Sequence, residues 1–345
     1  MKSTNASFAP GRRQFIAAAG SIGALVLIGA PRIGFAADAP LSVGALFAGK
    51  IDDRGFMEAG YRGLERARTE FGVQTRYIDN ILPQKDRLAA ALRELAGSGA
   101  NLVVAHGGQN NEAAALVASE FPDVRFVVTQ GAVTATNLSS YDILQEQSAY
   151  LGGVLAGLST RSGVVGHMSG IRVKPGLKGR AAYVAGVRAA NPKARVLTNF
   201  SGNQDDNALS KRIAEAQIAA GADIIFTMLN AGRNGVSEAC RASGAKQIGN
   251  VIDWVQADPE VFVGSAIADV SIGVFEAVRD LHAGSFQAGE IRKIGLDNAN
   301  AVRLSIHPSV SADISAQIAG YAEGIRDGRI VVPEAYDGPE FTINT

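Results

Sequence analysis

Leu41-Ser-Val-Gly-Ala-Leu-Phe47, followed by Gly49-Lys-Ile-Asp-Asp-Arg-Gly-Phe-Met-Glu-Ala-Gly-Tyr-Arg-Gly-Leu64, decides the reading of the chain. The first piece is a short apolar run and reads as a strand. The second opens with a polar loop in which Asp52 or Asp53 can cap a helix, since a short carboxylate accepts from the free N–H groups of the first turn. Phe56, Gly60, Tyr61, Leu64, Ala67 and Phe71 then recur at helical spacing. Strand, polar loop and helix N-terminus form the unit that places ligands at the carboxyl ends of strands in open α/β sheets. Phe56 is expected to offer a stacking surface on one wall of a cleft. The alternative is a core aromatic on an ordinary first helix.

The alternation continues outward from this unit. Strands are predicted over 73–78, 101–105 and 124–129, with helices over 84–98 and 111–120 between them. A second series has helices over 146–158, 176–190, 207–220, 235–243 and 271–281. Its strands cover 163–168, 194–200, 222–228, 247–252 and 261–267, and a last helix covers 312–327. Two successive βαβ blocks of one design predict two similar α/β lobes with parallel sheets and a cleft between them. Residues 296–308 have little periodicity and are expected to cross between lobes. The predicted division is 40–144 plus 263–304 for the first lobe, and 145–262 plus 305–345 for the second.

Residues 1–39 read as an export signal. Arg12-Arg13-Gln-Phe-Ile precedes an apolar run from Ala17 to Ala30, and small residues end it at Ala37-Asp-Ala39 or Gly34-Phe-Ala36. Paired arginines point to the twin-arginine route and a periplasmic product, with a Sec signal or a membrane anchor as the alternatives. The run is shorter than the ~20 residues of a spanning helix, and no cysteine lies near it for a lipid anchor. Removing the segment leaves about 305 residues, a length suited to two domains. It also leaves 29 basic residues against 32 or 33 acidic ones. That balance disfavours nucleic-acid or membrane-surface binding. Cys240 is the one cysteine, so no internal disulfide can form.

Enzyme signatures are missing from the sequence. His106, His167, His282 and His307 are scattered, with no metal-binding spacing. Gly166-His-Met-Ser-Gly170 is one residue too loose for a nucleophile elbow. No glycine-rich phosphate or dinucleotide loop follows a strand. Asp52-Asp53 and Asp205-Asp206 are adjacent carboxylates that point different ways, and capping is the expected role. Neither a cofactor nor a metal is expected. A repressor of related architecture would carry a helix-turn-helix where the export segment stands.

Five pieces in order resemble the basic membrane protein, or PnrA-like, family of ABC-transporter substrate-binding proteins. They are Asp52-Asp-Arg-Gly-Phe56 with Tyr61-Arg-Gly-Leu64, then Phe121-Pro-Asp-Val-Arg-Phe126, Glu146-Gln-Ser-Ala-Tyr-Leu-Gly-Gly153, Gly221-Ala-Asp-Ile-Ile-Phe226 and Asn230-Ala-Gly-Arg-Asn-Gly235. The resemblance covers nearly all of the chain beyond the export segment. It implies a type I periplasmic binding fold with two Rossmann-like lobes joined by three crossings, and no enzymatic activity. It implies a small ligand, commonly a purine nucleoside, handed to a membrane permease driven by an ATPase. A subunit that reports ligand to a membrane receptor is the alternative.

The same resemblance distributes the site. Phe56 matches the aromatic that stacks on the base, and Tyr183 is the candidate for the second lobe, with packing as the alternative. Met57 stands where the family has Asn, Gln130 where it has Asp, and Ala268 where it has Lys. Asp253 keeps the second acid of a family turn. Losing several ligand-binding groups leaves ribose hydroxyls unpaired, at about 1–3 kcal/mol for each buried group. A free base or another flat heterocycle is therefore expected ahead of a ribonucleoside, with a modified nucleoside next. Asn110, Gln130 and Asn230 would supply amide donors and acceptors. Trp254 would stack on the ligand, with a surface or hinge-packing residue as the alternative.

Overall fold

The computed structural model describes residues 40–53 and 55–343. The export segment expected over 1–39 lies outside the described residues. The first lobe begins β1 (Ser42–Phe47), α1 (Phe56–Phe71), β2 (Gln74–Ile78), α2 (Lys85–Gly97), β3 (Leu102–His106), α3 (Asn111–Glu120), β4 (Arg125–Thr129) and β5 (Leu138–Ile143). The chain then enters α4 (Gln145–Ser159), β6 (Val164–Ser169), α5 (Lys174–Ala190), β7 (Arg195–Phe200), α6 (Asn207–Ala219), β8 (Ile224–Met228), α7 (Arg233–Ser243), β9 (Lys246–Val251), the single turn α8 (Trp254–Ala257) and β10 (Phe262–Ala268). It ends with α9 (Ser271–His282), β11 (Ile291–Ile294), β12 (Val302–Ile306) and α10 (Ala312–Arg326).

The strands form two six-stranded sheets, in the orders β11-β5-β4-β3-β1-β2 and β12-β10-β9-β8-β6-β7. All pairs are parallel except β12, which runs antiparallel to β10. β3 and β8 are buried at every position, as strands covered by helices on both faces must be. In each sheet the winding reverses beside the first strand, between β1 and β3 or between β6 and β8. A crevice opens there at the carboxyl ends, and the N-terminus of α1 stands at it.

The chain passes between the sheets three times, after β5, after β10 and after β11. The boundary expected at residue 263 falls inside β10, a strand of the second sheet, so that crossing comes only after Ala268. The aperiodic stretch 296–308 contains β12, so the third crossing is the shorter segment 295–301. Three strands went unpredicted for a common reason. β5 buries Ser139 and Ser140, whose hydroxyls donate to Gln287 O and Val133 O at 2.7 Å each. β11 and β12 are edge strands with charged residues, Ile-Arg-Lys-Ile and Val-Arg-Leu-Ser-Ile. Polar edges and polar cores both mask the apolar pattern.

Helix packing at the base of the second lobe depends on missing side chains. A methyl on Gly153 would lie 2.1 Å from Tyr183 O, and one on Gly186 would lie 2.1 Å from Tyr150 O. α4 and α5 therefore touch backbone to backbone. Beside them Lys178 is buried with Glu146 at 2.6 Å, Asp142 of β5 at 3.7 Å and Glu334 at 3.2 Å. Asp142 belongs to the first sheet and Lys178 to the second lobe, so this ionic cluster ties the lobes at the first crossing.

Candidate functional site

The first turn of α1 is held by Asp53. Its Oδ1 accepts from the N–H groups of Gly55 at 2.8 Å and Glu58 at 3.1 Å, and its Oδ2 from Met57 at 3.1 Å. Asn230, just beyond β8 in the second lobe, donates through Nδ2 to the same Oδ2 at 3.3 Å. A methyl on Gly55 would sit 2.5 Å from Asn230 Oδ1. The lobes meet here, which only glycine at 55 permits. Burial pushes the Asp53 pKa up, against the pull of its three N–H donors, and nearby Asp205 adds to the rise.

Beside this contact lies a cavity of about 490 Å³. From the first lobe it is walled by Gly55, Glu58, Ala59 and Arg62. The second lobe supplies Val251-Ile-Asp-Trp254 and Ile267 at the ends of β9 and β10, and Asp269, Ser271 and Arg303 close it. Most of its charges are already answered. Arg62 pairs with Glu58 one turn away. Asp269 caps α9 by accepting from the Ser271 N–H at 3.0 Å and from its hydroxyl. Arg303 donates to the carbonyls of Ala299 and Asn300 at 3.3 Å each. Asp253 differs, because its Oδ1 is buried with no hydrogen-bond partner among the described residues.

Trp254 is fixed on several sides. Its indole N–H donates to Asn250 O at 2.9 Å and its backbone N–H to Ser265 Oγ at 2.9 Å. The Arg233 guanidinium carbon lies 3.3 Å from its ring centroid, and Phe262 packs at 5.7 Å. Arg233 is itself buried, which pulls its pKa down to about 10. A guanidinium over an indole is an attractive electrostatic contact, stronger when desolvated. These contacts all lie within the second lobe, so Trp254 is packed there, with part of its surface left on the cavity.

The other expected residues are placed differently. Phe56 opens α1, but its ring stacks on His106 at 4.2 Å and 26°. His106 Nε2–H donates to Phe56 O at 2.9 Å, and Nδ1 accepts from the Thr129 hydroxyl at 2.7 Å. These two bonds set the tautomer, and burial pulls the imidazole pKa down to about 4. Met57 packs, half-buried, against the core. Gln130 spends both ends of its amide on β5, with Oε1 accepting from Ile143 N–H at 2.8 Å and Nε2 donating to Ile143 O at 3.2 Å. Asn110 donates to the carbonyls of His106 and Gly107 at 3.0 and 2.9 Å. Tyr183 is buried against Phe226, with centroids 4.9 Å apart, and its hydroxyl has no partner among the described residues. Burial raises its pKa. Its surroundings fit the packing alternative.

Of the residues singled out from the sequence, Asp253 and Trp254 line the cavity and Asn230 bridges the lobes beside it. Phe56 stands one residue from the cavity's edge, while Gln130 and Tyr183 do not line it. Arg62, Asp269 and Arg303 were not foreseen. Arg62 follows the quoted Tyr61 on an exposed helix face, and Arg303 lies in the stretch read as aperiodic.

A family model described as ABC transporter substrate-binding protein PnrA-like matches residues 41–335. The chain belongs to that family. Transcriptional activator protein med of Bacillus subtilis is 23% identical over 277 residues, 80% of this chain and 86% of that protein. A purine-binding protein of Brucella abortus is 24% identical over 226 residues, 65% of this chain and 64% of that one. Among solved structures, an ABC transporter solute-binding protein from Aeropyrum pernix K1 superposes with a TM-score of 0.75 at 22% identity, over 85% of this chain and 94% of that one. The fold is thus that of type I solute-binding proteins. Among the described residues no helix is long and apolar enough to cross a membrane.

Proposed function

We propose that this protein is the periplasmic ligand-binding component of an ABC importer. It holds a small planar heterocycle, a purine base or nucleoside or a related compound, between its lobes and presents it to a membrane permease driven by an ATPase. The observation that carries this reading is the cavity itself. Its walls come from both lobes at the carboxyl ends of the strands, and its volume falls within the roughly 300–1,000 Å³ of small-molecule sites. Asp253 lines this cavity, and its Oδ1 is buried without a partner among the described residues; a turn of the side chain would bring that acceptor to an N–H or O–H donor on the ligand, because an unanswered buried acceptor is costly. A purine edge carries such donors, and the Brucella relative, a purine-binding protein, points the same way. Catalysis forms no part of the proposal, and export by the twin-arginine route belongs to it.

The test is a thermal-shift screen of the purified protein against nucleobases, nucleosides, flavins and other planar heterocycles. A ligand that binds only the folded state at a hundred times its Kd adds about 2.7 kcal/mol. That is a rise of about 4 °C for a chain of this size. Asp253→Asn replaces an acceptor by a donor and is expected to shrink the rise. If only sugars, amino acids or carboxylates shift the melting temperature, the ligand class is wrong and the binding role stands.

A further inference from the structure

The cavity wall given by the second lobe turns on a single backbone conformation. β9 ends at Val251, whose φ is +69°. This is the left-handed region, where a β-branched side chain crowds its own backbone. The Ile252 N–H donates to Asn250 O at 2.8 Å, closing a three-residue turn centred on Val251. The positive-φ form of that turn is rare and strained. A second turn follows at once. Trp254 N–H donates to Ile252 O at 3.1 Å around Asp253, whose φ of −81° and ψ of 90° belong to the relaxed form.

Two tight turns in succession carry Ile252 and Asp253 off the strand end to line the cavity. Asn250 O, which closes the strained turn, also accepts from the Trp254 indole at 2.9 Å. One carbonyl thus ties strand end, turn and indole together. The first lobe repeats the device. β4 holds the same place in its sheet as β9 does, third in order, and the residue after it, Gln130, has φ +54°. There the Gln130 amide spans to Ile143 and offsets the cost; valine has no polar group to do so. Strain of this kind persists only where the surroundings over-determine it, and it gathers at ligand sites.

We infer that the left-handed turn at Val251 is the positioning element of the ligand-facing wall. Its backbone conformation, and not the valine side chain, holds Ile252 and Asp253 in the cavity. The inference rests on the reading of this cavity as the ligand site. Three substitutions separate backbone from side chain. Val251→Gly and Val251→Asn accept positive φ at low cost. Val251→Pro keeps apolar bulk but fixes φ near about −65°.

Two readouts are needed. The first is acrylamide quenching of Trp254, the single tryptophan of the chain, measured without ligand. The second is the rise in melting temperature with hypoxanthine, guanine, adenosine or inosine. The glycine and asparagine variants are expected to leave quenching unchanged and keep the ligand-induced rise. Their ligand-free melting temperature is expected to increase by about 2 °C, as strain is relieved. The proline variant is expected to quench more strongly and to lose the ligand-induced rise. A side chain that mattered for packing would reverse the order, so a proline variant that binds beside glycine and asparagine variants that do not overturns the inference. If the proline variant does not fold, the other two still decide it. If no purine shifts even the unaltered protein, the ligand class fails, whereas quenching still decides the turn; unchanged quenching in a folded proline variant refutes it.

Discussion

Acidification tests the way His106 supports the first turn of α1. The imidazole is buried under Phe56 and Phe47, donates from Nε2 to Phe56 O, and accepts at Nδ1 from Thr129. Desolvation outweighs the Phe56 carbonyl and lowers its pKa from 6.5 to about 4. Between these values the unfolded chain takes up a proton that the folded chain refuses. A depressed histidine pKa therefore costs stability as pH falls, beginning near the unfolded value. Linkage gives a loss of about 2 kcal/mol at about pH 5, and on the order of 3 kcal/mol once pH is below the folded value. His167 is also buried, with a pKa lowered to about 3 by desolvation and by Arg180, so a melt of the unaltered protein alone would mix the two. The experiment compares urea denaturation at about pH 7 and about pH 5 for the protein and for His106→Gln, whose side chain does not titrate. His167 then cancels. The unaltered protein should lose about 2 kcal/mol more between the two pH values than the variant. Equal losses would mean that His106 is hydrated or already charged, and the account of the Phe56 platform would fall with it.

Three further substitutions, with a fourth as control, test the packing around the cleft. Asp53→Ala leaves the N–H groups of Gly55, Met57 and Glu58 at the start of α1 and the Asn230 amide without their acceptor; denaturation should show a loss of about 1–2 kcal/mol, and a loss near zero would deny the cap. Lys178→Met leaves Glu146 and Asp142 buried without their cation. It should cost about 3–5 kcal/mol near neutral pH. Burial raises the pKa of both carboxyls, so protonation favours the folded state, and denaturation of the variant should show recovery as pH falls; a deficit independent of pH would contradict the ionic reading. Gly153→Ala places a methyl 2.1 Å from Tyr183 O and should cost about 1–3 kcal/mol by overpacking. Gly320→Ala in α10 meets nothing within 4 Å and should instead stabilise by about 0.5–1 kcal/mol. The pair is read by midpoint shifts of opposite sign.

What the sequence discloses and what it withholds follow from the range of the forces involved. β1, β3 and β8 could be read because burial on both faces leaves continuous apolar runs. The Asp53 cap could be read because its partners lie within five residues. Asp253 was placed at the cleft by the family turn whose second acid it keeps, and Trp254 by its place on the loop after a central strand, which must come to the carboxyl edge. Tyr183 was misleading because a helix offers an aromatic to core or cleft according to what packs on it, and Phe226 lies 43 residues away in the chain. Gln130 was named as a ligand group because it stands where the family has Asp and carries an amide donor and acceptor; both are taken by Ile143 of the next strand. Val251 shows the sharper limit. A valine after Ile-Gly-Asn extends a β pattern, and the predicted strand ran through residue 252. Its local preference points away from the conformation it adopts. Where tertiary contacts impose a backbone that the residue resists, propensity fails at the very position where the chain spends stability on the shape of a cavity. At Val251 that disagreement falls on the cavity wall beside Asp253 and Trp254, whereas at Gln130, away from the cavity, the amide bonds to Ile143 compensate it.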